Sequence, residues 1–261
     1  YGFPEKFRTN FGKNADERIF EIGKLLHEHD MEKGVTLARQ SNDPEVLRNI
    51  KRGNIKMSTY RNLQLRFNDA QVLVYSEFIV GRPGETVESW KRGLDEMVET
   101  GMRGQCLIYP CMALVNSDLD DPAYRRKFGI KTRRIEMAEI HGGVRDFGWL
   151  PEYEEIVVST NDMTVGDWRQ MMVFSYAFMA LHSMRLSYFI IIYLLDRYGI
   201  KPSEFLGFII DELPGDTGGM WLVEIAEYNR ILDGALERGE PLGVIMPGYG
   251  DIYWGAEEAS F

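Results

Sequence analysis

Residues 72–80, Val-Leu-Val-Tyr-Ser-Glu-Phe-Ile-Val, are apolar with few breaks. That pattern predicts a buried strand covered on both faces. Gly81, Pro83 and Gly84 stop it, and Thr86 caps a helix over residues 87–101. Upstream, residues 7–11 read as a short strand, and Asn14 with Glu17 opens a helix over 15–30, whose apolar face is Ile19, Ile22, Leu25 and Leu26. Residues 34–37 predict a second strand. Asp43-Pro44 starts a helix that carries Val46, Leu47 and Ile50, and residues 57–68 form another. A strand over 105–109 ends at Pro110. This alternation predicts an α/β fold with a parallel sheet and right-handed crossovers. Ligands of such sheets bind at the carboxyl ends of the strands.

The pattern changes after Asn116. Residues 118–128 are charged and predict a helix, 141–153 read as an irregular Gly/Pro-rich connection, and 156–159 as an extra strand. Thr164 with Asp167 forms a capping-box variant ahead of a helical region that reaches Tyr198. Two further helices are predicted over 203–213 and 220–238. The division is therefore 1–116, strand and helix, against 117–261, mainly helical. Residues 171–195 carry one formal charge, Arg185, over a length that could cross a bilayer. A central Arg costs roughly 2.5–3.5 kcal/mol on insertion, and Ser175, His182, Ser183 and Ser187 add polarity. A buried core helix broken near His182 and Ser183 is the expectation, with no transmembrane segment.

The formal charge is −10, from 40 acidic and 30 basic residues. That excess argues against nucleic acid or an anionic membrane as the main partner. The two cysteines, Cys106 and Cys111, make no disulfide framework, which fits a reducing cytoplasm. Position 1 is Tyr rather than Met, and the chain is expected to be a piece of a longer protein. His27, His29, His141 and His182 lack paired ligand spacing, and the C-x4-C spacing of the cysteines matches no zinc ribbon. Walker, GxGxxG and GxSxG motifs are absent. The polar residues at strand ends stand out instead: Arg39, Gln40 and Ser41 after the second strand, and Ser76 and Glu77 within the third. A charged Glu in an apolar strand is expected to be paired or functional.

Gly34-Val-Thr-Leu-Ala-Arg-Gln-Ser-Asn-Asp-Pro-Glu-Val-Leu-Arg-Asn-Ile-Lys-Arg-Gly53 resembles the fourth-strand segment of radical S-adenosylmethionine (radical SAM) enzymes. There a Glu-Ser or Gln-Ser pair precedes the helix. Glu77–Thr86 is similar to their fifth strand and its Ile-x-Gly-Leu-Pro-Gly-Glu-Thr turn, and residues 106–114 take the place of the sixth. The resemblance covers residues 7–116 and is nearest the subgroup with an upstream cobalamin-binding domain.

The resemblance implies a partial (β/α) barrel that holds S-adenosylmethionine and a 4Fe–4S cluster at its carboxyl edge, followed by a helical accessory region. It implies that Arg39, Gln40 and Ser41 lie by the polar groups of S-adenosylmethionine, with Glu77 at the same edge. It places Ile79, Gly81, Ile108 and Tyr109 by the adenine. The chain departs from the pattern twice: Arg82 replaces the usual Leu, and Gln40 stands where Glu is commoner. It also lacks the CxxxCxxC loop that holds the cluster. The expectation is a fragment of an enzyme that cleaves S-adenosylmethionine to start radical chemistry on a small organic substrate, inactive by itself. A non-catalytic binding module is the alternative. An unrelated hydrolase would need an acid–base set at the strand ends, which the sequence does not offer. An uncovered edge at residues 7–11 predicts a homodimer.

Overall fold

The computed structural model describes residues 5–7, 17–143, 150–213, 215–246 and 248–260. Helix α1 (Glu17–Glu28) precedes strand β1 (Val35–Thr36), α2 (Pro44–Asn49) and α3 (Met57–Asp69) precede β2 (Val74–Val80), and α4 (Val87–Glu99) precedes β3 (Gln105–Pro110). The strands form a parallel sheet in the order β1-β2-β3. Local chemistry explains the helix starts. Asp43 accepts hydrogen bonds from the Glu45 and Val46 amides, with Pro44 preset for the first turn. Thr86 and Ser89 form a reciprocal capping box. Helix α4 then turns Val87, Trp90, Leu94, Met97 and Val98 onto the sheet at helical spacing.

Strand β2 is not covered on both faces as its apolar run predicts. Val74, Ser76, Phe78 and Val80 are buried, while Tyr75, Glu77 and Ile79 are half-exposed. Apolar bulk at Tyr75 and Ile79 makes the sequence look continuous, but the period is two and only one face meets helices. β1 is also shorter than expected. After a break, Gln40 rejoins the sheet through a parallel bridge to Phe78. Of the predicted first strand only Phe7 is described; its amide donates to the Met31 carbonyl at 2.6 Å, beside β1. Residues 8–11, and with them the edge behind the homodimer expectation, lie outside the described residues, as does Asn14.

Beyond the sheet come α5 (Pro122–Phe128), an antiparallel pair β4 (Lys131–Glu136) and β5 (Tyr153–Ser159), then α6 (Val165–Phe178). β4 lies between the predicted helix over 118–128 and the predicted irregular connection over 141–153, where no element was expected; residues 144–149 of that connection lie outside the described residues, and β5 begins three residues before the predicted strand. β5 also runs antiparallel to the chain after β3, with the Val157 amide on the Cys111 carbonyl at 2.7 Å. Helix α6 opens with the Thr164–Asp167 capping box and continues into one π-helical turn, Met179–Ser183. That segment closes the helix side of the sheet. Trp90 Nε1 donates to Ser175 Oγ at 3.1 Å. The amide of Cys106 donates to Ser183 Oγ at 3.0 Å, and that hydroxyl returns a bond to the Cys106 carbonyl. The open backbone groups of an edge strand are thus met by a side chain rather than by another strand.

The expected break is present. After Ser183 the chain bends by 92° into α7 (Tyr188–Tyr198), with Arg185 exposed at the bend. No single helix among the described residues is long and apolar enough to cross a membrane. Helices α8 (Pro202–Gly207) and α9 (Gly215–Asp233), a hairpin of β6 (Val244–Ile245) and β7 (Tyr253–Trp254), and α10 (Ala256–Ala259) complete the chain. One buried cluster runs from Ile19 to Ala256, so residues on both sides of position 116 share a core.

Candidate functional site

The carboxyl ends of β1 and β2 are joined by a buried polar bracket. Glu85 accepts from the Gly81 amide at 3.3 Å and from Ser41 Oγ at 3.4 Å, and Ser41 Oγ in turn accepts from the Asp43 amide at 3.2 Å. Ser41 and Glu85 are both almost fully buried. Burial pushes the Glu85 carboxyl up to about 8, against the opposing pull of Arg82 and of the Gly81, Arg82 and Ser41 donors. Asn54 holds the loop after β1 from the other side, donating to the Arg39 and Ser41 carbonyls at 3.0 and 2.9 Å. Asn49 donates to the Pro83 carbonyl at 3.1 Å and ties the turn after β2 to α2.

The predicted site residues fall into three groups. Glu77, Ile79 and Tyr109 share the open face, because Ile79 pairs with Tyr109 across the ladder and Glu77 lies two residues before Ile79. Gln40 borders them: its amide donates to the Glu77 carbonyl at 2.8 Å, its carbonyl accepts from Ile79 at 3.2 Å, and its φ is 65°. Arg39, Ser41 and Gly81 form the second group and build the edge. The Arg39 guanidinium donates to Asn42 Oδ1 at 2.5 Å and to the Ile55 carbonyl at 3.0 Å, and lies over the Tyr60 ring. Gly81 has φ 96°, and a Cβ there would stand 3.1 Å from the Val157 carbonyl oxygen. Its glycine is required by the backbone and by β5, before any ligand is considered. Ile108 stands apart. It is buried on the helix side of β3, opposite to Ile79 and Tyr109.

Ser76, the neighbour of Glu77, also faces the helices and bonds to Tyr60 Oη at 2.5 Å. Sequence reasoning did not single out Glu85, Asn54 or Arg52. Glu85 lies within the Gly-Arg-Pro-Gly-Glu-Thr turn, so its position was visible; its burial depends on Ser41, 44 residues earlier.

Similarity to known proteins bears on this edge. No protein-family model matches the chain. It is 32% identical over 236 residues to the cobalamin-dependent radical SAM methyltransferase TokK of Streptomyces tokunonensis, covering 89% of this chain and 34% of that protein. The chain belongs to the radical SAM family, in its cobalamin-associated subgroup. A second relative, the 2-(S-pantetheinyl)-carbapenam-3-carboxylate methyltransferase of Streptantibioticus cattleyicolor, is 31% identical over 204 residues, which is 78% of this chain and 30% of that one. This radical SAM chain thus spans about a third of the length of the curated relatives it matches. The 236 aligned residues extend well beyond residues 7–116, so the helical part is shared with TokK rather than confined to this chain. A solved radical SAM methyltransferase, TsrM from Kitasatospora setae, aligns with 35% of this chain and 17% of its own at 21% identity and a TM-score of 0.29; that level carries no structural argument.

The residues present do not fit a four-iron cluster. Cys106 and Cys111 are both buried, and burial raises both thiols, Cys111 to about 11. No group of three or more His, Cys, Asp or Glu residues among those described could hold a metal ion. The edge does fit a polar organic ligand such as S-adenosylmethionine. It joins an apolar strip at Ile79 to a half-buried carboxylate at Glu77, and Arg82 Nε and Arg52 Nη1 are buried there without hydrogen-bond partners.

Proposed function

We propose that this chain forms the S-adenosylmethionine side of the active centre in a cobalamin-dependent radical SAM methyltransferase that acts on a small organic substrate. The observation that carries the reading is the 32% identity to TokK across 89% of the chain. In this reading the three parallel strands are part of a (β/α) barrel within residues 1–116, and residues 117–261 are a mainly helical region that covers its outer side. The cofactor supplies the transferable methyl group and the radical chemistry. Glu77, Ile79, Tyr109 and Gln40 line the bound molecule. Arg39, Ser41 and Gly81 hold the strand ends in place, with Glu85 and Asn54 as their brackets. Ile108 acts from behind, through the position of Tyr109. Ligands for an iron–sulfur cluster come from outside these residues, and so this chain by itself starts no radical reaction.

Calorimetric titration of S-adenosylmethionine into the 261-residue chain tests the site. Glu77→Gln and Tyr109→Ala should each weaken binding, by about 1 kcal/mol for a lost hydrogen bond or stacking contact. His182→Asn, buried in the π-helical turn after α6, should leave it unchanged. Equal losses at Glu77 and His182 would remove the site from the open face. Anaerobic reconstitution should give no stoichiometric cluster; binding that depends on both cysteines would contradict the reading.

A further inference from the structure

Gln40 holds a strained conformation in an unusual place. Its φ is 65°, in the left-handed region that residues other than glycine avoid. Asp30, Lys51 and Gln71 share that sign of φ, but they follow the ends of α1, α2 and α3, where chains commonly turn left-handed. Gln40 instead sits in the parallel sheet opposite Phe78. Its amide donates to the Glu77 carbonyl, and its carbonyl accepts from the Ile79 amide. A left-handed residue there persists only where its surroundings over-determine it. Two side chains from one short segment do so. Asn54 Nδ2 donates to the Arg39 and Ser41 carbonyls at 3.0 and 2.9 Å, one on each side of Gln40. Arg52 Nε donates to Asn54 Oδ1 at 2.9 Å, which fixes the amide with its nitrogen toward the loop. Arg52 Nη2 holds the Ala38 carbonyl at 2.8 Å. The carbonyls of Ala38, Arg39, Gln40 and Ser41 are therefore all bonded, and this pair of side chains bonds all but that of Gln40.

The conformation matters because the Gln40 side chain is left uncommitted. It is half-buried and makes no hydrogen bond with the described residues. Relaxation of φ to the β region would swing the Cα–Cβ bond, and the amide group with it, to a different direction. We propose that Asn54 is a positioning residue: it holds Gln40 in the left-handed conformation and so aims the Gln40 amide group at the ligand on the open face. The clamp rests on the hydrogen bonds alone. Only the identity of the ligand, S-adenosylmethionine, rests on the methyl-transfer reading.

Two measurements on the 261-residue chain test the two halves. The first is the NMR cross-relaxation between the amide and α protons of Gln40, which is strong only at positive φ because the two protons then lie close together. It should be strong in the parent and fall in Asn54→Ala. Asn54→Asp, which keeps the shape and loses both donors, should give the same fall. A signal that stays strong in both variants would overturn the clamp. So would loss of folding in both, because a residue that only aims Gln40 is not needed for the fold. The second measurement is calorimetric titration of S-adenosylmethionine. Gln40→Ala should weaken binding roughly fivefold, as for one hydrogen bond. Asn54→Ala should weaken it by the same factor, and the double variant no further, because both changes remove one contact. Losses that multiply in the double variant, or unchanged affinity in Asn54→Ala, would overturn the positioning role. A parent chain that binds no S-adenosylmethionine would instead overturn the methyl-transfer site and strike the ligand from this inference, and the proton signal would still decide the clamp.

Discussion

The two faces of β2 alternate residue by residue and do opposite things. Toward the helices, Ser76 bonds to Tyr60, Trp90 stacks edge-on to Phe78 and donates to Ser175, and Ser183 meets the edge of β3 at Cys106. These polar groups are paired within the chain, although Gln64 Oε1 beside Tyr60 is buried without a partner. On the other face, Tyr75, Glu77 and Ile79 stay half-exposed, and the strand ends in a guanidinium with a buried, unpartnered nitrogen. One face is finished by folding; the other is shaped for something that folding does not supply. Satisfied polar groups mark structure, and unsatisfied ones at a strand's carboxyl end mark a ligand.

Three changes would break or sharpen this contrast. Trp90→Ala removes a fully buried indole of the finished face and its bond to Ser175 Oγ, which keeps its own bond to the Met171 carbonyl. It should cost about 3–5 kcal/mol in urea unfolding, while Ile79→Ala on the open face should cost well under half as much. Similar losses at the two positions would erase the distinction. Gly81→Ala comes next. It forces φ 96° on a side chain 3.1 Å from the Val157 carbonyl, and should cost on the order of 1–3 kcal/mol. Gly199, at φ 68° with no atom near its missing Cβ, should cost less on the same change. A ligand-affinity loss in Gly81→Ala is therefore read only after its stability is known.

Glu85→Gln has the smallest effect at low pH and the most specific signature. The Glu85 carboxyl rises from 4.5 to about 8 on folding, so the folded state keeps a proton that the unfolded chain has released. Its contribution is fully present below about pH 4.5 and is lost as pH rises toward 8, with a slope of at most about 1.4 kcal/mol per pH unit. Urea midpoints measured across that window should fall with pH in the parent and flatten in Glu85→Gln. An unchanged slope would place the titration elsewhere.

Much of the parallel sheet was legible because its signals are local. The apolar run before Gly81, the Gly/Pro turn and the Thr86 cap all lie within a few residues, and β2 and α4 form where they predict. β4 was not legible. In Lys-Thr-Arg-Arg-Ile-Glu only Ile135 is buried, and pairing with β5 rather than intrinsic pattern makes the strand. The site was half legible for the same reason. Gln40, Ser41 and Glu77 announce themselves as polar residues at strand ends, whereas the burial of Glu85 and the open nitrogens of Arg52 and Arg82 depend on residues distant in sequence. The opposite orientations of Ile108 and Tyr109 follow from strand alternation once the register is known, but not from the resemblance that named both.

The bonds that close the helix face span long stretches of chain, 85 residues from Trp90 to Ser175 and 77 from Cys106 to Ser183. During synthesis the three strands leave the ribosome well before their cover. At about 5–20 residues per second, Trp90 and Phe78 wait several seconds without α6. The nascent sheet is therefore a candidate client for chaperones. A chain cut at residue 116, where strand and helix alternation ends, would keep β1, β2 and β3 and still carry a permanently wet tryptophan and an unmet edge at Cys106.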